Sequence, residues 1–589
     1  KTYGARPLFE ELSLTLDEGE RVGLIGANGA GKSTLLRILA GEEVPDAGEM
    51  QRRKGLRLGY APQEPDFPPG TTGRQIVREA AAELASPGED TDTAAEKALT
   101  LAGIPDAEAP VETLSGGWRK RLSIVASLVG DPELVLLDEP VNHLDLEGIV
   151  WLERQLGRSR CGFVLVSHDR YLLERVATRV VEIGPSFPGG LFAASGSLSN
   201  FLEQKADFLA AQSRRREALE NRMRREVEWL RRGPKARTTK ARARVEAAEA
   251  LAGEVDTLRE REAGGGVDFA FETTGRRTKE LLRTHDLAVE RGGRTLVQRL
   301  SLTLRRRERV GVVGPNGSGK TSLLEVLSGL RAPSEGERRP ATGLRTVYFD
   351  QRREDLDPSW TLKRALAPDG DSVVYRGREI AVQAWAARFQ FGKEQLGLPV
   401  GELSGGERAR VISSRLVREE ADLLLLDEPT NDLDLATLEA LEESLETFPG
   451  AIVLVTHDRY LLDRLCGRVL GLDGGGGAEF YAGYEQWLQA RAEAARSATT
   501  EPKPSPGPRR RSRSKKLSYH EQREWEGLEG RIEQAEARVA ELRAAVDDPA
   551  NASDASRLAE LASELEEAEA EVTALLERWT ELEDKRAGQ

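Results

Sequence analysis

Two copies of one α/β domain, joined by a basic helical segment and followed by a helical tail, are the architecture this sequence predicts. Three observations carry it. A strand, a glycine-rich turn and a helical pattern occur twice, at an offset of 288 residues. Further segments repeat at 288 or 289 throughout. Between and after the copies, short apolar strands give way to charged helical periodicity.

The first turn reads Gly26-Ala27-Asn28-Gly29-Ala30-Gly31-Lys32-Ser33-Thr34, after the apolar run Val22–Ile25 and before Leu35–Leu39. The second reads Gly314-Pro315-Asn316-Gly317-Ser318-Gly319-Lys320-Thr321-Ser322, after Val310–Val313. Both fit G-x-x-x-x-G-K-[ST], a loop whose glycines let backbone N–H groups curl around phosphate oxygens at a helix N-terminus. The expected phosphate contacts are Gly26, Asn28, Gly29, Gly31, Lys32, Ser33 and Thr34, and in the second copy Gly314, Asn316, Gly317, Gly319, Lys320, Thr321 and Ser322. Lys32 and Lys320 would reach the β- and γ-phosphates, and Ser33 and Thr321 would hold Mg²⁺.

The repeat continues along the chain. Leu12–Leu16 recurs as Leu300–Leu304, and Leu114-Ser115-Gly116-Gly117 as Leu403-Ser404-Gly405-Gly406. Leu136-Leu137-Asp138-Glu139-Pro140 recurs as Leu425-Leu426-Asp427-Glu428-Pro429, and His168–Leu173 as His457–Leu462. Strands alternating with helices argue a sheet with phosphate sites at its strand C-termini. Asp138 and Asp427, each ending a buried apolar run, are expected to complete the Mg²⁺ shell. Glu139 and Glu428, one residue on, would orient or deprotonate the attacking water. His168 and His457 each follow an apolar strand, where a neutral imidazole can hydrogen-bond a γ-phosphate. Gln63 and Gln351 follow Tyr60-Ala61-Pro62 and Tyr348-Phe349-Asp350, where their amides could serve metal or water.

The chain of 589 residues carries a net charge of −14, so it is no general polyanion binder. No apolar run approaches the ~20 residues of a membrane helix, and no secretory signal opens the chain. Cys161 and Cys466 lack metal-type spacing and are expected to be buried, reduced thiols of a cytoplasmic protein. Repeat two has an extra apolar segment, Glu280–Val289, before the point matching Lys1. The expectation is that one N-terminal strand precedes this numbering.

Residues 213–244 hold thirteen Lys or Arg against four Glu, on two predicted helices broken at Gly233-Pro234. Arg231, Arg232, Lys235, Arg237, Lys240 and Arg242 cluster at that tip and suit RNA phosphates. Arg496–Pro508 reads as a tether, and Arg509–Lys516, including Arg509, Arg510, Arg511 and Arg513, is basic at six of eight positions. Heptad steps from Trp525 to Val546 and from Leu558 to Leu582, separated by Asp547–Asp554, predict an antiparallel coiled-coil hairpin. Trp525 to Gln589 is acidic, with seven basic residues against eighteen. The expected divisions are 1–196, 197–265, 266–495, 496–516 and 517–589.

With Leu-Ser-Gly-Gly, Asp-Glu-Pro, the following His and both phosphate loops, the sequence resembles the ATP-binding cassette superfamily. The tandem cassettes, "EPVNHLD" and "EPTNDLD", "SHDRYLL" and "THDRYLL", the helical linker and the C-terminal hairpin resemble its ABC-F subfamily, and the tail its Uup-type branch. The resemblance implies ATP and Mg²⁺ as cofactors, a monomer folded as a head-to-tail cassette sandwich, and two composite sites. One would join Lys32, Ser33, Gln63, Asp138, Glu139 and His168 to Ser404, Gly405 and Gly406. The other would join Lys320, Thr321, Gln351, Asp427, Glu428 and His457 to Ser115, Gly116 and Gly117. It also places Tyr3 against adenine, with Arg291 as its counterpart, and assigns communication between sites to Asn142–Asp145 and Asn431–Asp434. The implied partner is the ribosome, with the linker directed to tRNA or rRNA. The alternative is action on branched or structured DNA through residues 509–589. A third possibility, the motor of a membrane transporter, is disfavoured by the basic linker.

Overall fold

The computed structural model describes residues 1–3, 6–84, 90–104, 106–231, 271, 273–276, 278–349, 356–368, 370–431, 433–499 and eleven positions between 531 and 568. Two six-stranded sheets dominate it. The first runs, edge to edge, Leu58–Ala61, Leu134–Asp138, Gly162–Val166, Arg21–Gly26, Arg179–Ile183 and Leu191–Ser195. The second runs Thr346–Phe349, Leu423–Asp427, Ala451–Val455, Arg309–Val313, Arg468–Leu472 and Ala478–Tyr481. Five strands of each are parallel and the last is antiparallel.

The parallel strands are continuous apolar runs because both faces of each sheet are covered. Val135, Leu136, Leu137, Val164, Leu165 and Leu423–Leu426 are all fully buried. In the first sheet the central strand Arg21–Gly26 pairs Gly23 with both Leu165 and Val180. Its end is therefore fixed in space by a neighbouring strand on each side, and the phosphate loop leaves from that fixed end. The second sheet repeats this with Gly311 between Leu454 and Val469.

A side sheet joins Glu280–Arg291 to Arg294–Leu300, Thr303–Arg305 and Glu335–Pro340. In the first cassette Thr2–Tyr3 pairs with Arg6–Pro7.

Gly59 sets a tolerance limit on the first cassette. A β-carbon there would lie 1.9 Å from the Ser127 carbonyl oxygen, because the strand Leu58–Ala61 runs against the helix Gly116–Leu128. Overpacking against backbone cannot relax by a rotamer change. Gly59→Ala should lower unfolding stability by about 3 kcal/mol, read as a reduced denaturant midpoint. An unchanged midpoint would contradict this contact.

Leu198–Arg231 forms one helix of 34 residues, about 50 Å long, with Arg214, Arg215, Arg222, Arg224 and Arg225 exposed. It covers the stretch where the first arm of the linker is expected. Arg232, Lys235, Arg237, Lys240 and Arg242 lie outside the described residues, as do Gln351 and Arg509–Lys516. In the C-terminal unit, Ala535, Leu561 and Ala568 are helical and buried, whereas Arg531, Gln534 and Glu564 are exposed. All three buried residues stand at predicted heptad positions. Both cysteines are free but half-buried rather than buried. Burial still pushes the Cys466 thiol up to about 12. Among the described residues no helix is long and apolar enough to cross a membrane.

Candidate active site

Each phosphate loop is built from glycines the backbone requires. Gly26, Gly29 and Gly31 have φ of +146°, +79° and +91°, and Gly317 and Gly319 have +80° and +102°. Such values exclude most side chains. Gly31 and Gly319 open the helices Lys32–Ala40 and Lys320–Ser328 without any side-chain cap, so the first N–H groups of each helix face the loop. Lys32 Nζ donates to the carbonyls of Gly26 (2.8 Å) and Ala27 (3.1 Å). Lys320 Nζ donates to Gly314 (2.8 Å) and Pro315 (3.4 Å). Both ammonium groups are buried, which pulls their pKa down from the ordinary lysine value.

Asp138 ends its strand at 1% exposure, and burial raises its carboxyl above the ordinary range. Ser33 hydrogen-bonds this carboxylate, while Asp138 Oδ1 is buried without a hydrogen-bond partner. A buried acceptor oxygen beside a hydroxyl and the Gln63 amide is a hard-oxygen set of the kind Mg²⁺ takes. Thr321 and Asp427 occupy the same positions in the second cassette.

The next residue is strained in both copies. Glu139 and Glu428 are left-handed at φ +43° and +50°, a conformation costing of order 1–3 kcal/mol. Their N–H groups still reach across the sheet, to Val166 O (3.0 Å) and Val455 O (2.9 Å). The kink turns each carboxylate off the strand toward a histidine. His168 Nε2 lies 3.2 Å from Glu139 Oε1, and His457 Nε2 lies 3.3 Å from Glu428 Oε1. Burial depresses both imidazoles, His168 to about 3, so both are neutral at neutral pH.

Burial also pushes the Glu428 carboxyl up to about 8. A carboxyl raised on folding contributes stability that is complete below its unfolded value of 4.5 and lost as pH rises through about 8. The thermal midpoint of the chain without nucleotide should therefore fall across that window, and Glu428→Gln should flatten the fall. An equally steep fall in the variant would contradict this assignment.

The two cassettes meet head to tail. Asp434 caps the helix Leu435–Thr447 through Thr437 N (2.9 Å) and with its other oxygen accepts from Asn28 N (3.2 Å) in the first phosphate loop. Asp145 does the same in reverse, capping Gly148 N (2.9 Å) and accepting from Asn316 N (3.3 Å). Asn316 Nδ2 also donates to His143 O (2.9 Å). A cavity of about 370 Å³ collects Asn28, Gly29, Gly31, Lys32, Ser33, Gln63, Glu139 and His168 with Ser404, Gly405 and Gly406. At the second site, a β-carbon on Gly117 would lie 3.1 Å from Asn316 Nδ2, so that signature faces the other loop.

The signature serines differ. Ser404 and Glu407 form a reciprocal cap, with Ser404 Oγ donating to Glu407 Oε2 at 2.8 Å. Trp118 replaces that glutamate in the first cassette, and Ser115 there accepts only a long bond from Trp118 N (3.5 Å).

Arg291 is directed to the helix after the second loop, donating to Ser322 Oγ (3.3 Å) with Glu325 at 3.8 Å. Tyr3 lies in the short strand Thr2–Tyr3, and Leu8 lines the first site's cavity.

Two features were not anticipated. Lys120, fully buried, donates to the carbonyls of Pro62 (2.8 Å), Gln63 (2.9 Å) and Asp138 (3.0 Å), tying the glutamine loop to the metal strand. Its counterpart in the repeat is Ala409, so the repeat gave no signal. Arg170 bonds Glu442 (3.0 Å) and Arg459 bonds Glu153 (2.7 Å), a reciprocal pair of cross-cassette bridges. Tyr171 and Tyr460 lie beside them with centroids 6.1 Å apart.

Comparison with known proteins agrees with this geometry. The family model described as ABC transporter matches residues 9–142 and again 297–431, and one described as ABC transporter C-terminal domain matches 516–584. The ATP-binding protein Uup of Haemophilus influenzae is 33% identical, over 99% of this chain and 97% of its own. The energy-dependent translational throttle protein EttA of the same organism is 34% identical, over 84% of this chain and 95% of its own. The archaeal ribosome recycling factor aABCE1, solved with the stalk protein aP1, shares the fold. Its TM-score is 0.55 at 21% identity, covering 82% of this chain and 89% of that one. Two cassettes whose phosphate loops, signatures and Asp-Glu strand ends are all in place, with relatives aligned end to end, make this chain a member of the ABC-F family of ATP-binding cassette ATPases, enzymes that hydrolyse ATP.

Proposed function

We propose that this chain couples ATP binding and hydrolysis at two composite sites to reversible association with the ribosome. The observation that carries the coupling is the reach of Asp434 and Asp145 across to the opposite phosphate loops. ATP seated on one loop and the other cassette's signature bridges the halves, and hydrolysis removes the bridge.

Within each site the roles proposed are these. The loop N–H groups and Lys32 or Lys320 bind the phosphates. Ser33, Gln63 and Asp138, with Thr321, Asp427 and Gln351 in the second copy, would hold Mg²⁺, which when bound neutralises developing phosphate charge. Glu139 or Glu428, in its ionised form, would accept a proton from the attacking water, and the neutral imidazole of His168 or His457 beside it would donate its one N–H toward the γ-phosphate. Ser404 and Ser115 complete the cradle from the other side.

Support for the ribosome comes from the likeness to a translational throttle protein and to a ribosome recycling factor, and from the exposed arginines along the helix Leu198–Arg231. The test is sucrose-gradient sedimentation of the Glu139→Gln/Glu428→Gln double variant in lysate with ATP. Cosedimentation with ribosomes supports the reading, and absence from ribosomes would overturn it.

A second reading, action on structured DNA, is favoured by the six basic residues of Arg509–Lys516 next to the matched C-terminal region. On that reading, deleting 497–589 should abolish DNA retention while sparing ATP hydrolysis.

A further inference from the structure

The turn that leads into the central strand has one construction in both cassettes and opposite charge. In the first it reads Asp17-Glu18-Gly19-Glu20 before Arg21; in the second, Arg305-Arg306-Arg307-Glu308 before Arg309. The bonds correspond. Asp17 N donates to Glu20 Oε2 (3.0 Å) and Arg305 N to Glu308 Oε2 (2.6 Å). Glu20 N returns to Asp17 O (3.1 Å) and Glu308 N to Arg305 O (3.0 Å).

The third residue is left-handed in both turns, φ +72° at Gly19 and +63° at Arg307. Glycine adopts that conformation without strain, and a β-carbon there is sterically disfavoured. The first cassette shows that the turn itself needs no side chain at this position. The second nevertheless places an exposed arginine there, and a strained exposed residue is a pointer to function.

Its surroundings are also basic. Arg305, Arg306 and Arg307 are exposed, and among the described residues none of their guanidinium groups is paired with a carboxylate. Arg306 Nε donates only to the Pro449 carbonyl (3.3 Å). In the first cassette, by contrast, Glu18 of the turn is matched by Arg53 (3.3 Å). Behind Arg307 lies a groove of about 700 Å³, lined by Arg309, Arg468 and Thr447 together with the carboxylates Glu308 and Glu446 and the side chains of Phe448 and Leu465. Arg309 is locked by the carbonyls of Leu445 (3.2 Å) and Gly450 (3.2 Å), and Arg468 by Glu308 (2.5 Å) and the Phe480 ring. Fixed guanidinium groups thus line the groove, and Arg307 stands at its edge with Arg305 and Arg306 in the adjoining turn. The groove's carboxylates are already matched, Glu308 by Arg468 and Glu446 by Arg464 (2.9 Å).

We propose that this groove of the second cassette binds the phosphate backbone of nucleic acid, RNA in the ribosome-bound state. The choice of RNA rests on the ribosome reading above. Guanidinium forks match phosphate geometry, and because the apolar lining residues Phe448 and Leu465 are buried, the groove offers charge without the exposed apolar centre a protein partner needs. The groove opens at the strand N-termini, the end of the sheet opposite the phosphate loop, so occupancy here is compatible with ATP bound.

The test uses the full chain and a short fluorescein-labelled RNA duplex, titrated by anisotropy at several salt concentrations. The variant Arg305→Asp/Arg307→Gly installs the first cassette's own residues, which this turn already accommodates, so folding and ATP hydrolysis should persist. The expected result is at least a roughly tenfold weaker affinity and a salt slope smaller by about 2, one phosphate contact per arginine. Equal affinity and slope in wild type and variant would overturn the proposal. So would equal RNA binding with a polyglutamate peptide bound only by wild type, which would make the groove a protein site. Wild type that binds RNA with this difference yet fails to sediment with ribosomes would support the groove and count against the ribosome reading alone.

Discussion

Replacing Glu139 and Glu428 together by Gln should lower ATP turnover by about 10²–10⁴-fold while leaving ATP binding intact. The size follows from what is removed. Each carboxylate stands on a left-handed residue that turns it off its strand and against a neutral histidine, 3.2 Å and 3.3 Å away. Glutamine keeps that shape and loses the proton acceptor. The phosphate loops and lysines are untouched, so nucleotide affinity should hold. Phosphate release paired with fluorescent-ATP binding separates the two effects. Turnover within about threefold of wild type would remove the glutamates from the role of base.

Gly406→Val should block closure of the first site and cost hydrolysis there about 10²-fold, the penalty of misplacing a catalytic group by about 1 Å. A β-carbon on Gly406 would sit 2.1 Å from Asn28 Nδ2 and 2.7 Å from Asn28 Cβ. A rotamer change at Asn28 cannot relieve this, because its Cβ does not move with the side chain and its backbone N–H is held by Asp434 at 3.2 Å. The strain is therefore met by separating the cassettes. Small-angle scattering should show that the variant no longer compacts with ATP. The cassettes should unfold as in wild type, since the collision lies between them. A variant that compacts and hydrolyses normally would show that this signature does not close on Asn28.

The cassette fold and the site lists were legible because each element was written twice. A single Asp-Glu after an apolar run is ambiguous, and two at one offset are not. The repeat also marked His168 and His457, which the structure buries against the glutamates. What the repeat could not show is what differs between copies or joins them. Lys120 has Ala409 as its counterpart, and a buried lysine in a helix leaves no periodic trace. The Arg170–Glu442 and Arg459–Glu153 bridges pair residues about 270 and 306 positions apart, and local patterning holds no record of such contacts. The left-handed glutamates were hidden for another reason. Backbone strain at a non-glycine residue depends on the chain around it, here the bond from Glu139 N to Val166 O. The same holds for Arg291, whose partner Glu325 is set by where the side sheet meets the helix.

The central claim is that each ATP site borrows its signature from the other cassette. The most direct measurement is ATP turnover in a Glu428→Gln background, where only the site of Lys32 and Glu139 remains competent. Adding Ser404→Arg should abolish the remaining turnover, and adding Ser115→Arg should leave most of it. Loss with Ser115→Arg and survival with Ser404→Arg would mean that each cassette works with its own signature, and would contradict the sandwich.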